Sequence, residues 1–204
     1  MSAPHARGPL VRPVEAPVQS LRQLAYADPA AFPVLLDSSA LGALGRFSIL
    51  GAYPQAALWL DGTGVHADAA AALHTAGGGG FMDALQSAWR SEAAAALAIA
   101  AAPGAALATN TACGPFRGGW MVFLGYELAA EIEPQLSLPR AVPGAGLAAA
   151  PDAVQAPAVQ APAAFALRIP AAVVFDHQHG QAWLVAEAGR EALLADLQAA
   201  LAAL

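Results

Sequence analysis

The stretch PFRGGWMVFLGYELAAEIEP, Pro115 to Pro134, constrains this chain most. Gly118-Gly119 interrupt the backbone, Trp120, Met121, Val122, Phe123 and Leu124 follow with the bulky apolar content of a buried strand, and Gly125-Tyr126 close the run. The period then changes. Leu128 and Ile132 stand four apart on one helical face, Glu127 and Glu131 lie on the neighbouring face, and Pro134 stops the turn. The segment predicts a strand, a glycine bend and a short helix. A Gly-Gly entry lets another backbone or a ligand come close, because no Cβ stands in the way; a tight turn feeding a core strand is the plainer reading of the same residues.

The rest of the chain supplies elements of similar size. Ser20 to Ala27 predicts a short helix ended by Asp28-Pro29. Phe32 to Asp37 and Arg46 to Gly51 read as strands, and Ala56 to Leu60 with a strand near Val65 flank the hairpin turn Asp61-Gly62-Thr63-Gly64. Gly77 to Gly80 form a joint with no following Lys-Ser/Thr, so they are not a phosphate loop. From Phe81 a helix is expected to place Phe81, Leu85, Ala88 and Trp89 on one face and to end by Pro103. Ala171 to Ala186 predicts a hairpin around Asp176 to Gly180. Arg190 to Leu204 predicts an amphipathic helix with Leu193, Leu194, Leu197, Leu201 and Leu204 on one side, still helical where the sequence stops. Strands alternating with turns predict an α+β fold of mostly antiparallel sheets with flanking helices. Residues 1–16 are Pro-rich and read as a flexible arm, residues 17–204 as one domain, and residues 138–163 as a Pro/Ala-rich excursion that cannot bury enough surface to order itself.

Composition narrows the function classes. Charged residues make up 12% of the chain, about half the ~25% of ordinary soluble domains. All basic residues are Arg, and the net charge of -6 offers no basic footprint for a nucleic acid. A single Cys113 excludes an internal disulfide, which makes a reducing cytoplasm the expected location. No signal peptide is recognisable. The most apolar run, Ala93 to Ala108, is shorter than a membrane span and broken by Pro103-Gly104.

Few residues carry chemistry. Asp176, His177 and His179 are the closest grouping of metal-type side chains, and two His at i and i+2 project alike on a strand. Without a third ligand in reach, a solvated turn accounts for them better. Glu127, Glu131 and Glu133 read as a solvated helical face, and Ser38-Ser39 lack a nucleophile-elbow frame. No catalytic set and no metal site emerges.

Two blocks together resemble the N-terminal domain of chorismate-utilising enzymes. LLDSSALGALGRFSILGAYP, Leu35 to Pro54, is similar to the family's LLxS segment followed by GR(F/Y)S and a Gly. PFRGGWMVFLGYELAAEIEP is similar to its PFxGGxxGxxxYxxxxxxE pattern, with Val122 standing where Gly is common. A weaker third block is Pro170 to Ala186. The resemblance is closest to component I of aminodeoxychorismate synthase, with component I of anthranilate synthase as the alternative. A free-standing amino-acid-binding module is the rival from another class.

The resemblance implies a layered α+β fold and a tryptophan-type pocket on Leu36, Asp37, Ser38, Leu44, Gly45, Arg46 and Phe47. On residue chemistry alone, Arg46 pairing with an acid and Ser38 capping a turn is the competing expectation. The resemblance further implies amination of chorismate with ammonia from a glutamine amidotransferase partner, toward para-aminobenzoate and folate. It implies Mg²⁺ in a C-terminal chorismate-binding domain that supplies the catalytic residues. This chain has no lysine, and that domain is expected to lie outside it, leaving it inactive on its own.

Overall fold

The computed structural model describes residues 9–39, 42, 45–75, 78–100, 114–133, 135 and 162–204. Leu44, Cys113, Pro134 and nearly all of the expected 138–163 excursion lie outside the described residues. The described elements are β1 (Leu10–Val14), α1 (Val18–Ala27), β2 (Val34–Leu36), β3 (Phe47–Ala52), β4 (Ala56–Asp61), β5 (Gly64–Ala67), α2 (Phe81–Ala100), β6 (Gly119–Leu124), α3 (Ala129–Ile132), β7 (Ala164–Ile169), β8 (Ala171–Asp176), β9 (Gln181–Ala186) and α4 (Glu191–Ala202). They form the expected α+β fold of antiparallel sheets with flanking helices, in the orders β1-β9-β8-β3-β2 and β5-β4-β7-β6. Contacts gather into two compact units, Met1–Gln55 with Ser91–Met121 and Arg168–Leu204, and Ala56–Arg90 with Val122–Leu167. Among the described residues no helix is long and apolar enough to cross a membrane.

The first unit is built on the five-stranded sheet. Opposite residues in paired strands share a face, so the pairs Leu50↔Val173 and Val173↔Leu184 lay one apolar row across β3, β8 and β9. Leu21 and Leu24 of α1 and Leu194 and Leu197 of α4 close over that row, all at most 5% exposed. Each such leucine contributes roughly 1.5–3 kcal/mol by leaving water. Of the five leucines expected on one side of the last helix, Leu204 is exposed. It lies past α4, which ends at Ala202, so the last two residues are not helical, contrary to what the sequence predicts.

Residues 10–14 correct the expected arm. They form an edge strand whose five residues pair with β9, from Leu10↔Ala186 to Val14↔Ala182. Pro13 is tolerated because an edge strand has one side free of ladder bonds. The helix α1 then begins after Pro17, and Asp28 Oδ1 accepts the Ala31 N–H at 3.0 Å where the chain leaves it.

In the second unit β4 and β5 form the expected hairpin, with Asp61↔Gly64 as its last pair. Phe81, Ala84 and Ala88 are buried, whereas Trp89 is 59% exposed, against the expectation that it shares their face. The buried stripe follows positions three and four apart, and Trp89 falls one residue past it. The α2 N-terminus is capped by Glu131. Its carboxylate accepts the N–H groups of Met82 at 2.7 Å and Phe81 at 3.2 Å, satisfying two of the orphan donors of a first turn. Glu131 is therefore a cap and not merely a member of a solvated face.

Residues 115–133 fold as strand, bend and short helix, but β6 is not a buried strand. Met121 is 7% exposed, while Val122, Phe123 and Leu124 are each nearly half exposed, because β6 is the last strand of its sheet. Its glycine entry does admit a close neighbour. Gly118 has φ +98°, and a Cβ there would collide with the Glu187 side chain. Glu187 in turn pairs with Arg168 at 2.6 Å, and Arg168 also holds Glu92 at 2.7 Å. Burial pushes the Glu187 carboxyl above its ordinary pKa against the pull of Arg168.

Candidate functional site

Three strand ends converge in the first unit: the exit of β2 at Asp37-Ser38, the entry of β3 at Arg46-Phe47-Ser48, and the exit of β8 at Asp176-His177. Their adjacency follows from register, since Leu36 pairs with Ile49 and Ser48 pairs with Phe175. The His177 N–H donates to the Arg46 carbonyl at 2.8 Å, extending that ladder one step past the strands.

Ser48 is the centre of the cluster and is fully buried. Its Oγ lies 3.0 Å from the Ser38 N–H donor, 3.1 Å from Asp37 Oδ1 and 2.7 Å from His177 Nε2. A hydroxyl has one proton and two lone pairs. The carboxylate can only accept and the amide can only donate, so Ser48 donates to Asp37 and accepts from Ser38. Its second lone pair then takes an Nε2–H from His177, which fixes the proton on that nitrogen. Ser38 completes the ring by donating Oγ–H to the Phe47 carbonyl at 2.7 Å.

Asp37 also accepts from Arg22 Nε at 2.7 Å. That bond, with help from Ser48, holds the Asp37 carboxyl below its ordinary pKa against a burial effect that would raise it. Beside this chain lies a second one. Arg46 Nε and Nη2 donate to Asp176, the shortest contact being 2.7 Å, and the guanidinium rests 4.7 Å above the Phe47 ring. Asp176 is 1% exposed and further accepts from the Gln178 N–H and His179 Nδ1, both at 2.8 Å. The Arg46 bonds hold its carboxyl far below the usual carboxylate range.

The structure thus brings Asp37, Ser38, Gly45, Arg46 and Phe47 to one end of one sheet. Leu36 does not join them. It is 53% exposed and alternates to the other face from its neighbours. The polar atoms of Arg46 and Ser38 are engaged with Asp176 and Phe47, which is the competing expectation stated for them. The hairpin-turn reading of Asp176 to Gly180 holds for Gln178, His179 and Gly180, which are exposed, and fails for Asp176, which is a buried ion-pair partner. Ser48 and the tie between Ser48 and His177 were missed. An isolated serine in an apolar strand gives no local sign of a partner 129 residues away.

Chemically, the cluster positions and does not activate. In an acyl-transfer triad the histidine stands between acid and serine, whereas here Asp37 bonds the serine directly and His177 points its proton at the oxygen. The two histidines also diverge, His177 to Ser48 and His179 to Asp176. Among the described residues no three His, Cys, Asp or Glu side chains are grouped to hold a metal ion. No protein-family model matches this sequence, and no curated protein is significantly similar to it.

Proposed function

We propose that this chain is the N-terminal domain of an aminodeoxychorismate synthase component I, whose role is to support chorismate amination and not to perform it. The reading rests on one observation. The Leu35–Pro54 and Pro170–Ala186 blocks, far apart in sequence, form the neighbouring strands β2, β3, β8 and β9, and Asp37, Ser38, Arg46 and Phe47 of the first block share one strand-end cluster with Asp176 and His177 of the other. Motif residues that meet in space are expected of a binding domain and not of a chance string match.

In this reading the catalytic residues and Mg²⁺ belong to a chorismate-binding domain, in cis or in trans, and ammonia comes from a glutamine amidotransferase partner. An amino acid such as tryptophan would bind at Arg46 and Asp37 by exchanging their present ion pairs for its carboxylate and ammonium. Deleting the coding sequence in the source organism tests the reading. Growth that then requires para-aminobenzoate supports it. A requirement for tryptophan instead moves the chain to anthranilate synthase, and unimpaired growth without either compound removes both.

A further inference from the structure

A cleft of about 760 Å³ opens in the first unit between the linker that follows β1 and the β8–β9 hairpin. Its origin is a mismatch of strand lengths. The β1 ladder ends at Val14↔Ala182, while β9 already begins at Gln181, so the chain peels off the sheet at Glu15 and turns into α1 at Pro17 before covering the first residue of β9. The volume is within the range of roughly 300–1,000 Å³ used by small-molecule sites.

We propose that this cleft binds a flat aromatic amine in its ammonium form. Its apolar floor is Pro13 beside Trp183, directly paired across β1 and β9 and so on one face of the sheet; Pro17 of the linker also lines it, and Phe175 does so from the opposite face. Such faces suit a planar ring, which packs against prolines and aromatic rings with little loss of side-chain freedom. Its charged feature is the Glu15 carboxylate. The other carboxylates near the strand ends are taken, Asp37 by Arg22 and Asp176 by Arg46, whereas Glu15 has no cationic partner among the described residues. An apolar floor edged by one unpaired negative group selects a ring bearing a positive charge. Gln181 beside it offers an amide that accepts a further ammonium proton. The site is distinct from the Arg46 cluster and does not depend on the family reading, but Phe175 belongs to both surroundings, packing its ring 5.0 Å from His177.

The test is calorimetric titration of the whole chain with three probes sharing one ring system: tryptamine, L-tryptophan and indole-3-propionate. Saturable binding is expected in that order of affinity, cation over zwitterion over anion. Glu15→Gln, an exposed substitution, is expected to weaken tryptamine roughly fivefold, the scale of one exposed charge pair, and to leave indole-3-propionate unchanged. Glu15→Lys is expected to reverse the order. Amide signals of Glu15, Gly180 and Gln181 are expected to shift with tryptamine. Equal affinity for the cation and the anion, or no saturable heat with tryptamine, overturns the proposal. Tryptophan binding that is abolished by Asp37→Asn but unaffected at Glu15 supports the family reading and rejects this one.

Discussion

Each unit contains a trio of acid, hydroxyl and imidazole, and the two trios hold very different stakes. In the second unit Asp61 Oδ1 accepts the Thr63 N–H at 2.8 Å and Oγ1–H at 2.6 Å, with His66 Nε2 at 3.0 Å and its ring stacked on Trp59. Every group there is partly in water and within five residues of its partners. In the first unit the hydroxyl of Ser48 has no access to water and draws its partners from the loop after β2 and the turn after β8. When a bond of the Asp61 trio breaks, water replaces it. When a bond to Ser48 breaks, a buried donor or acceptor is stranded, which costs the full desolvation penalty.

The largest effect is expected where that contrast is sharpest. Asp176→Ala removes a buried acceptor that serves Arg46, His179 and Gln178 together, and is expected to cost about 3 kcal/mol, read from the shift of the urea midpoint. A loss indistinguishable from that of a surface substitution would break the contrast. Ser48→Ala strands the Ser38 N–H and an imidazole proton and is expected to cost about 2 kcal/mol. A double-mutant cycle with His177→Phe should then show coupling, since the two side chains share a bond.

Acid sharpens the comparison further. The folded-state pKa of Asp176 is depressed, so its stabilisation is complete above the unfolded value of about 3.9 and is lost as pH falls through the folded one. The Asp61 carboxyl behaves alike but is lowered only to about 2, chiefly by Thr63. Melts from pH 7 to pH 2 should therefore show an acid limb that Asp176→Asn flattens more than Asp61→Asn does. The smallest effect is expected for Thr63→Ala, about 0.5 kcal/mol or less, as for a surface position whose bonds pass to water.

Legibility in the sequence followed the same divide. The Asp61-Gly62-Thr63-Gly64 turn was readable because turn chemistry is local, and so were the strand, bend and short helix from Gly119 to Ile132. The candidate residues Asp37, Ser38, Arg46 and Phe47 were found through motif likeness, not through their partners. Asp176 looked like a turn residue because an aspartate after an apolar run usually faces water, and only Arg46, 130 residues earlier, makes its burial tolerable. The exposure of Val122 to Leu124 escaped notice for a related reason. Apolar content marks a strand, but whether that strand is central or last in its sheet depends on strand order, which composition does not carry. Residues 10–14 read as an arm because Pro9, Pro13 and Pro17 fall in and around them, and their pairing depends on β9, more than 160 residues later.

That last pairing sets a timetable for synthesis. The central strand pair of the five-stranded sheet, β8 and β9, is made last, so β1 and β3 must wait with open edges until residues 171–186 leave the ribosome. At about 5–20 residues per second that wait is roughly ten to thirty seconds. A nascent chain of this kind is most exposed to aggregation through its earliest strands, and a pause before Ala171 would prolong the exposure.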